Sequence, residues 1–154
     1  MGKTGHHITS LALAAATTTV LWSNAPGVAI PAAAGIVAGA SAPDWTEMSW
    51  WFFGRRSLLP HRTLTHWPVV WIALALYFAW VGPGIVQSFG FGIVGGSSLH
   101  LLMDFGTPMG IPLLQPFGKR YSVRVYGTGS AKEFLVILAW CALCVGFISF
   151  WRAI

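Results

Sequence analysis

Apolar residues form five long runs along this chain, and polar or turn-forming residues separate them. The runs cover residues 8–22, 28–42, 67–81, 89–105 and 133–151. They are typical of helices embedded in a membrane, where about 20 apolar residues are needed for a full crossing. The pattern predicts an all-α integral membrane protein, with about five membrane-embedded helices in a single domain that covers residues 1–154.

Glycines recur at four-residue spacing within two of these runs. Gly35 and Gly39 lie in the second run, and Gly92 and Gly96 lie in the fourth. Small residues at this spacing allow the backbones of membrane helices to approach closely. We therefore expect close helix packing along both segments.

The composition agrees with a membrane location. Hydrophobic residues make up 55% of the chain and charged residues only 8%, whereas about a quarter of a typical soluble domain is charged. The net charge of +5 would suit a nucleic acid, but the basic residues do not form one stripe with interleaved aromatic residues. We expect membrane lipid, and no nucleic acid, as a partner.

The basic residues also predict an orientation. Eight of the nine lie on one side if the N-terminus is cytoplasmic, and only Arg152 lies on the other. Cytoplasmic connections carry an excess of Lys and Arg in membrane proteins. We expect a protein of the inner (cytoplasmic) membrane of a bacterium, with its N-terminus in the cytoplasm. The eight residues are Lys3, Arg55, Arg56, Arg62, Lys119, Arg120, Arg124 and Lys132.

The fourth run ends with two ionisable residues, His100 and Asp104. They are four residues apart, so that a helix places them on one face, and residues 67–99 contain no charged residue and no histidine. Ionisable residues within a membrane segment are unfavourable unless paired, and they usually mark a functional site. The alternative is a buried hydrogen-bonded pair that joins two helices.

The predicted topology brings the other polar residues to the same membrane face. Imidazole and carboxylate are ligands of Zn²⁺, Mn²⁺ and Fe²⁺, and two ions, or one ion with further hydrogen-bonding partners, are both compatible with the count. A metal-bound water would be the nucleophile, and a spare carboxylate its base. The residues are His6, His7, Asp44, His61, His66, His100, Asp104 and Glu133.

Two residues have competing interpretations. Arg62, between His61 and His66, is well placed to hold a phosphate, or it anchors the chain at lipid headgroups. Glu133 opens the fifth run, where a carboxylate caps a helix, or it serves as a metal ligand or general base.

The motifs HRTLTH (residues 61–66), HLLMD (100–104) and TPMG (107–110) resemble the YdjM family. Its members are membrane-bound proteins described as metal-dependent hydrolases, with a distant similarity to zinc-dependent phospholipase C and related zinc nucleases. The resemblance covers nearly the whole chain. The family often has a second acid two residues after its Pro-Asp motif, where this chain has Thr46 followed by Glu47.

The resemblance implies a divalent metal, Zn or alternatively Mn or Fe, and a lipid or small-molecule phosphoester as substrate. The candidate catalytic residues are Glu133, Asp44 and Arg62. The alternative is a non-enzymatic membrane protein whose cluster binds metal structurally or handles ions or protons. The implied metal ligands are His6, Asp44, His61, His66, His100 and Asp104.

Overall fold

The computed structural model describes residues 1–45 and 62–154. In these two ranges the chain forms five α-helices, each of which overlaps one of the predicted runs, so that the mainly helical fold is confirmed. The helices are α1 (Lys3–Asn24), α2 (Pro26–Gly39), α3 (Pro68–Val81), α4 (Ile85–Phe105) and α5 (Ala131–Ala153).

Local sequence signals set the helix ends. Pro26 and Pro68 occupy the first positions of α2 and α3, where proline loses no helical hydrogen bond. Between α3 and α4, Gly82 and Gly84 adopt φ angles of 86° and 144°, which favour glycine. The hydroxyl of Ser130 accepts a hydrogen bond from the Glu133 amide and caps α5.

Successive helices run in opposite directions. The N-terminal ends of α1, α3 and α5 and the C-terminal ends of α2 and α4 therefore lie at the same end of the bundle. Helix α1 packs against α2 and α5, and α4 packs against α2 and α3. The α1–α5 contact includes a hydrogen bond from the Trp140 indole to the Thr9 carbonyl at 3.0 Å. At the opposite end, the Trp151 indole contacts the Ser23 hydroxyl at 3.3 Å.

The glycine pairs in α2 and α4 face each other. A Cβ atom added to Gly39 would lie 2.4 Å from the Ile93 carbonyl oxygen, and one added to Gly96 would lie 2.1 Å from that of Ile36. No side chain fits at such distances, which explains why the close approach requires glycine. The expectation of close packing is confirmed, and the contact sets the distance between the C-terminal ends of α2 and α4.

The connection between α4 and α5 is more ordered than a polar loop. It contains a small antiparallel pairing of β1 (Ile111–Pro112) with β2 (Arg120–Tyr121), which the all-α prediction did not include. The Val125 amide donates to the Gly106 carbonyl at 2.8 Å and holds the connection against the end of α4. This end of the bundle is therefore covered by packed backbone.

The outer surface has the character of a membrane protein. Large apolar side chains are exposed on it, including Trp80 at 85%, which would be unfavourable in water. Helices α4 and α5 are long and apolar enough to cross a membrane, and only 6% of the apolar window of α5 is buried, unlike a soluble core helix. Helices α2 and α3 are apolar but shorter, so that five embedded helices remain a prediction.

Candidate metal centre

Asp104, in the last turn of α4, lies at the centre of a buried polar cluster. Its Oδ1 atom is 3.2 Å from Nε2 of His6, and its Oδ2 atom is 3.6 Å from Nε2 of both His66 and His100. The N-terminal ammonium group of Met1 also donates to Oδ1 and forms an ion pair with Asp104. The side chains of His6, His66 and His100 are almost fully buried, so that three imidazoles surround one carboxylate away from bulk solvent.

Asp44 lies near two of these histidines, His66 and His100. Its Oδ1 atom lies 3.5 Å from Nε2 of His66 and 3.8 Å from Nε2 of His100. Its side chain is 22% exposed, whereas that of Asp104 is 2% exposed. Asp44 is therefore the carboxylate of the cluster that water reaches most easily.

The orientation of His100 is fixed by the backbone of α2. Its Nδ1 atom lies 2.7 Å from the carbonyl oxygen of Ala40, and a carbonyl can only accept, so Nδ1 carries a proton. The ring also stacks on His6, with centroids 3.7 Å apart and an interplanar angle of 8°. In the neutral ring the Nε2 lone pair then points into the cluster.

The cluster fits a divalent cation. Nε2 of His100 is buried and has no hydrogen-bond partner among the described residues, yet it lies close to two carboxylates. A lone pair facing two anions is unfavourable by itself, and a cation between these groups would satisfy all of them. Such a histidine, with its second nitrogen on a carbonyl, is typical of metal ligands.

Two groups of ligand atoms are close enough to hold an ion. One consists of His6, His100 and Asp104, and the other of Asp44, His66 and His100; within each group the atoms lie within 4.8 Å of one another. Both groups need His100. Because its Nδ1 atom is engaged by Ala40, only Nε2 is available to an ion.

Arg62 is buried and directed at Asp104. Its Nη2 atom lies 2.8 Å from Oδ2 of Asp104, while Nη1 donates to the Thr107 hydroxyl at 3.0 Å and to the Gly110 carbonyl at 3.2 Å. Its backbone adopts φ 55°, an uncommon conformation that is often found at functional sites. These contacts favour a role in positioning Asp104, and the phosphate-binding role stays a prediction.

Glu133 contacts backbone amides rather than the imidazoles. One carboxylate oxygen accepts from Gly2 at 2.6 Å and the other from Gly129, and the Glu133 amide donates to Ser130. This arrangement is a form of the helix capping box, which ties the start of α1 to the start of α5. The contacts favour capping, and the role of general base stays a prediction.

Tyr126, in the α4–α5 connection, is buried near the cluster. Burial, together with the charges of Asp104 and Glu133, raises the pKa of Tyr126, so its hydroxyl remains protonated. The hydroxyl donates to the carbonyl of Met103. The side chain also packs with Met1, Leu99 and Met103, beside the buried carboxylate.

The structure brings together all the predicted metal ligands among the described residues; His61 and Glu47 lie outside them. His7 is exposed and belongs to neither ligand group. The sequence did not reveal that the Ala40 carbonyl accepts from His100, because any residue can supply a backbone carbonyl. It also did not reveal that the Thr107 hydroxyl accepts from Arg62 and donates to the Asp104 carbonyl. The TPMG motif contained a signal for Thr107, but its partner Arg62 could not be identified from spacing.

A cavity of about 310 Å³ borders this cluster. It is lined by two residues of the cluster, His6 and Asp44, and by the exposed residues Lys3, His7 and Trp45. The indole of Trp45 donates to the Ser41 hydroxyl at 3.1 Å, which fixes this side of the wall. The cavity gives water and a small ligand a path to the cluster.

Comparison with known families gives a match over the whole chain. The family model described as YdjM inner membrane protein matches residues 1–154. No curated protein and no solved structure matches significantly.

Proposed function

The chain belongs to the YdjM inner membrane protein family, and from this premise we propose that it is a metal-dependent hydrolase that cleaves a phosphoester at the cytoplasmic face of the membrane. The observation that carries the proposal is the buried Nε2 atom of His100, which the Ala40 carbonyl directs towards Asp44 and Asp104. The substrate is a lipid or a small molecule with a phosphoester bond.

His6, His100 and Asp104 are the best candidates for holding the ion, because they are the more deeply buried of the two ligand groups. Asp44 and His66 complete the surroundings from the opposite side. Since both groups share a single nitrogen of His100, the described residues support one ion per chain. A bound divalent cation lowers the pKa of a coordinated water and stabilises developing negative charge on the substrate.

The chain's own residues have separable roles around that ion. Asp44 lines the cavity and can accept the proton of an attacking water, which makes it the proposed general base. Arg62 holds the carboxylate of Asp104 in place through Nη2. His6 and Asp44 line the cavity, so a small molecule in the cavity could reach the cluster. A hydrolytic metal site needs such access, whereas a structural metal site is closed by its protein ligands.

Hydrolysis of bis(p-nitrophenyl) phosphate by the zinc-loaded protein in detergent tests the proposal. Asp44→Asn keeps the shape of the side chain but accepts a proton poorly, so we expect turnover to fall by about 10²–10⁴-fold. Asn24→Ala, exposed at the opposite end of α1, serves as the control. Turnover by Asp44→Asn at the wild-type rate would contradict the assignment of the base, and a wild-type protein without zinc-dependent turnover would contradict the proposed hydrolase function.

A further inference from the structure

The cavity beside the cluster is lined by two exposed basic residues. Lys3 and His7 lie one turn apart on α1, both exposed, and both line the cavity that ends at His6 and Asp44. At four-residue spacing they share one helix face. The cavity thus brings two basic side chains close to a residue of each ligand group.

The buried side chain of Arg62 does not contribute a positive charge to this cavity. Arg62 directs Nη1 to Thr107 and Gly110 and Nη2 to Asp104. Its guanidinium group is therefore occupied by protein contacts, and Arg62 does not line the cavity. Among the described Lys and Arg side chains, Lys3 is the one that lines the cavity. A compact ammonium group on a flexible stem is well suited to bind a phosphate as a point charge.

The dimensions of the cavity restrict the ligand. A volume of about 310 Å³ lies at the lower end of the range for small-molecule sites, so the cavity has room for a phosphate group with a small substituent. Trp45, which is 43% exposed, stands at the rim, and indole rings favour the interface between membrane and water.

We propose that the cavity of Lys3, His7 and Trp45 binds the anionic phosphate group of the substrate, with Lys3 as its specificity-determining cation. This inference rests on the proposed function and deepens it, since it places the phosphate between Lys3 and the ion held by the cluster. The phosphate group is shared by a lipid headgroup and by a soluble phosphoester. An uncharged ester lacks the group that Lys3 recognises and binds weakly.

Binding of two phosphate probes to the zinc-loaded protein tests the inference. Short-chain phosphatidic acid in detergent and soluble glycerol 3-phosphate are titrated calorimetrically into wild type, Lys3→Gln and Lys119→Gln. Lys119 is exposed in the α4–α5 connection and does not line the cavity. Lys119→Gln is the control, because it removes the same single charge as Lys3→Gln. We expect Lys3→Gln to weaken the binding of the preferred probe by about tenfold or more, while Lys119→Gln matches wild type.

The preference between the probes identifies the source of the phosphate: tighter binding of phosphatidic acid indicates a lipid headgroup, and equal or tighter binding of glycerol 3-phosphate a soluble ester. Equal affinities in Lys3→Gln and wild type, or no binding of either probe, would overturn the inference.

Zinc content is measured on the same samples. Lys3 belongs to neither ligand group, so Lys3→Gln retains zinc, and a wild-type protein without zinc would instead refute the proposed function.

Discussion

The Nδ1 atom of His100 lies 2.7 Å from the carbonyl oxygen of Ala40, 60 residues earlier in the chain. This contact joins the C-terminal ends of α2 and α4 and directs the Nε2 atom of His100 between two carboxylates. It depends on the glycine contact one turn away, because the two backbones must be close for an imidazole to reach a carbonyl. Helix packing and the chemistry of the site are therefore linked.

Two alanine substitutions at neighbouring positions test that link. In Gly96→Ala the new Cβ atom would lie 2.1 Å from the Ile36 carbonyl oxygen, whereas at Gly95 there is nothing within 4 Å. We expect Gly96→Ala to lower the free energy of unfolding by about 1–3 kcal/mol and to reduce zinc content. Gly95→Ala should be neutral or stabilising by up to about 1 kcal/mol. Equal melting temperatures in detergent for the two variants would argue against the close contact.

Arg62→Lys separates positioning from substrate binding. A lysine keeps the charge but cannot contact Asp104, Thr107 and Gly110 together as the guanidinium does. We expect zinc affinity to fall by about 10–100-fold, as is usual when a group that supports a metal ligand is lost. The readouts are the zinc dissociation constant and KM. A raised KM with unchanged zinc affinity would support the phosphate-binding interpretation instead.

Glu133→Gln distinguishes helix capping from general base catalysis. Both carboxylate oxygens accept from amides, so the NH₂ group of a glutamine would face another donor. We expect a loss of about 1–3 kcal/mol of stability and an unchanged rate per zinc-loaded molecule. The measurements are the thermal midpoint and the turnover of the phosphodiester probe. A stable variant whose turnover falls at least about a hundredfold would restore Glu133 as the base.

The sequence predicted the helices well because their apolar runs are long and their ends carry clear signals such as Pro26, Pro68 and Ser130. It also predicted that His6, Asp44, His66, His100 and Asp104 lie together, because those residue types are rare and occur at helix ends, whereas His7 and Glu133, which were expected beside them, lie outside the ligand groups. It could not predict that Arg62 contacts Asp104, since that pairing depends on how the connection after α4 packs. The short pairing of Ile111 with Tyr121 was missed because two-residue strands have no periodic pattern.

The distribution of basic residues predicts the orientation in the membrane. Because eight of nine lie on one predicted side, we expect that side to face the cytoplasm. A reporter fused to the C-terminus should then read periplasmic, and one fused before α1 cytoplasmic. A cytoplasmic signal from the C-terminal fusion would contradict a topology with five crossings.

Metal content is the most direct test of the central claim that the His/Asp cluster holds one divalent ion. Purified protein is incubated with Zn²⁺, freed of excess ion and analysed by elemental mass spectrometry, together with His100→Ala and His7→Ala. His7 is the matched control, because it is an exposed histidine on α1 that belongs to neither ligand group. We predict about one zinc per chain in wild type and His7→Ala, and almost none in His100→Ala. Equal zinc in wild type and His100→Ala, or no zinc in wild type, would contradict the claim.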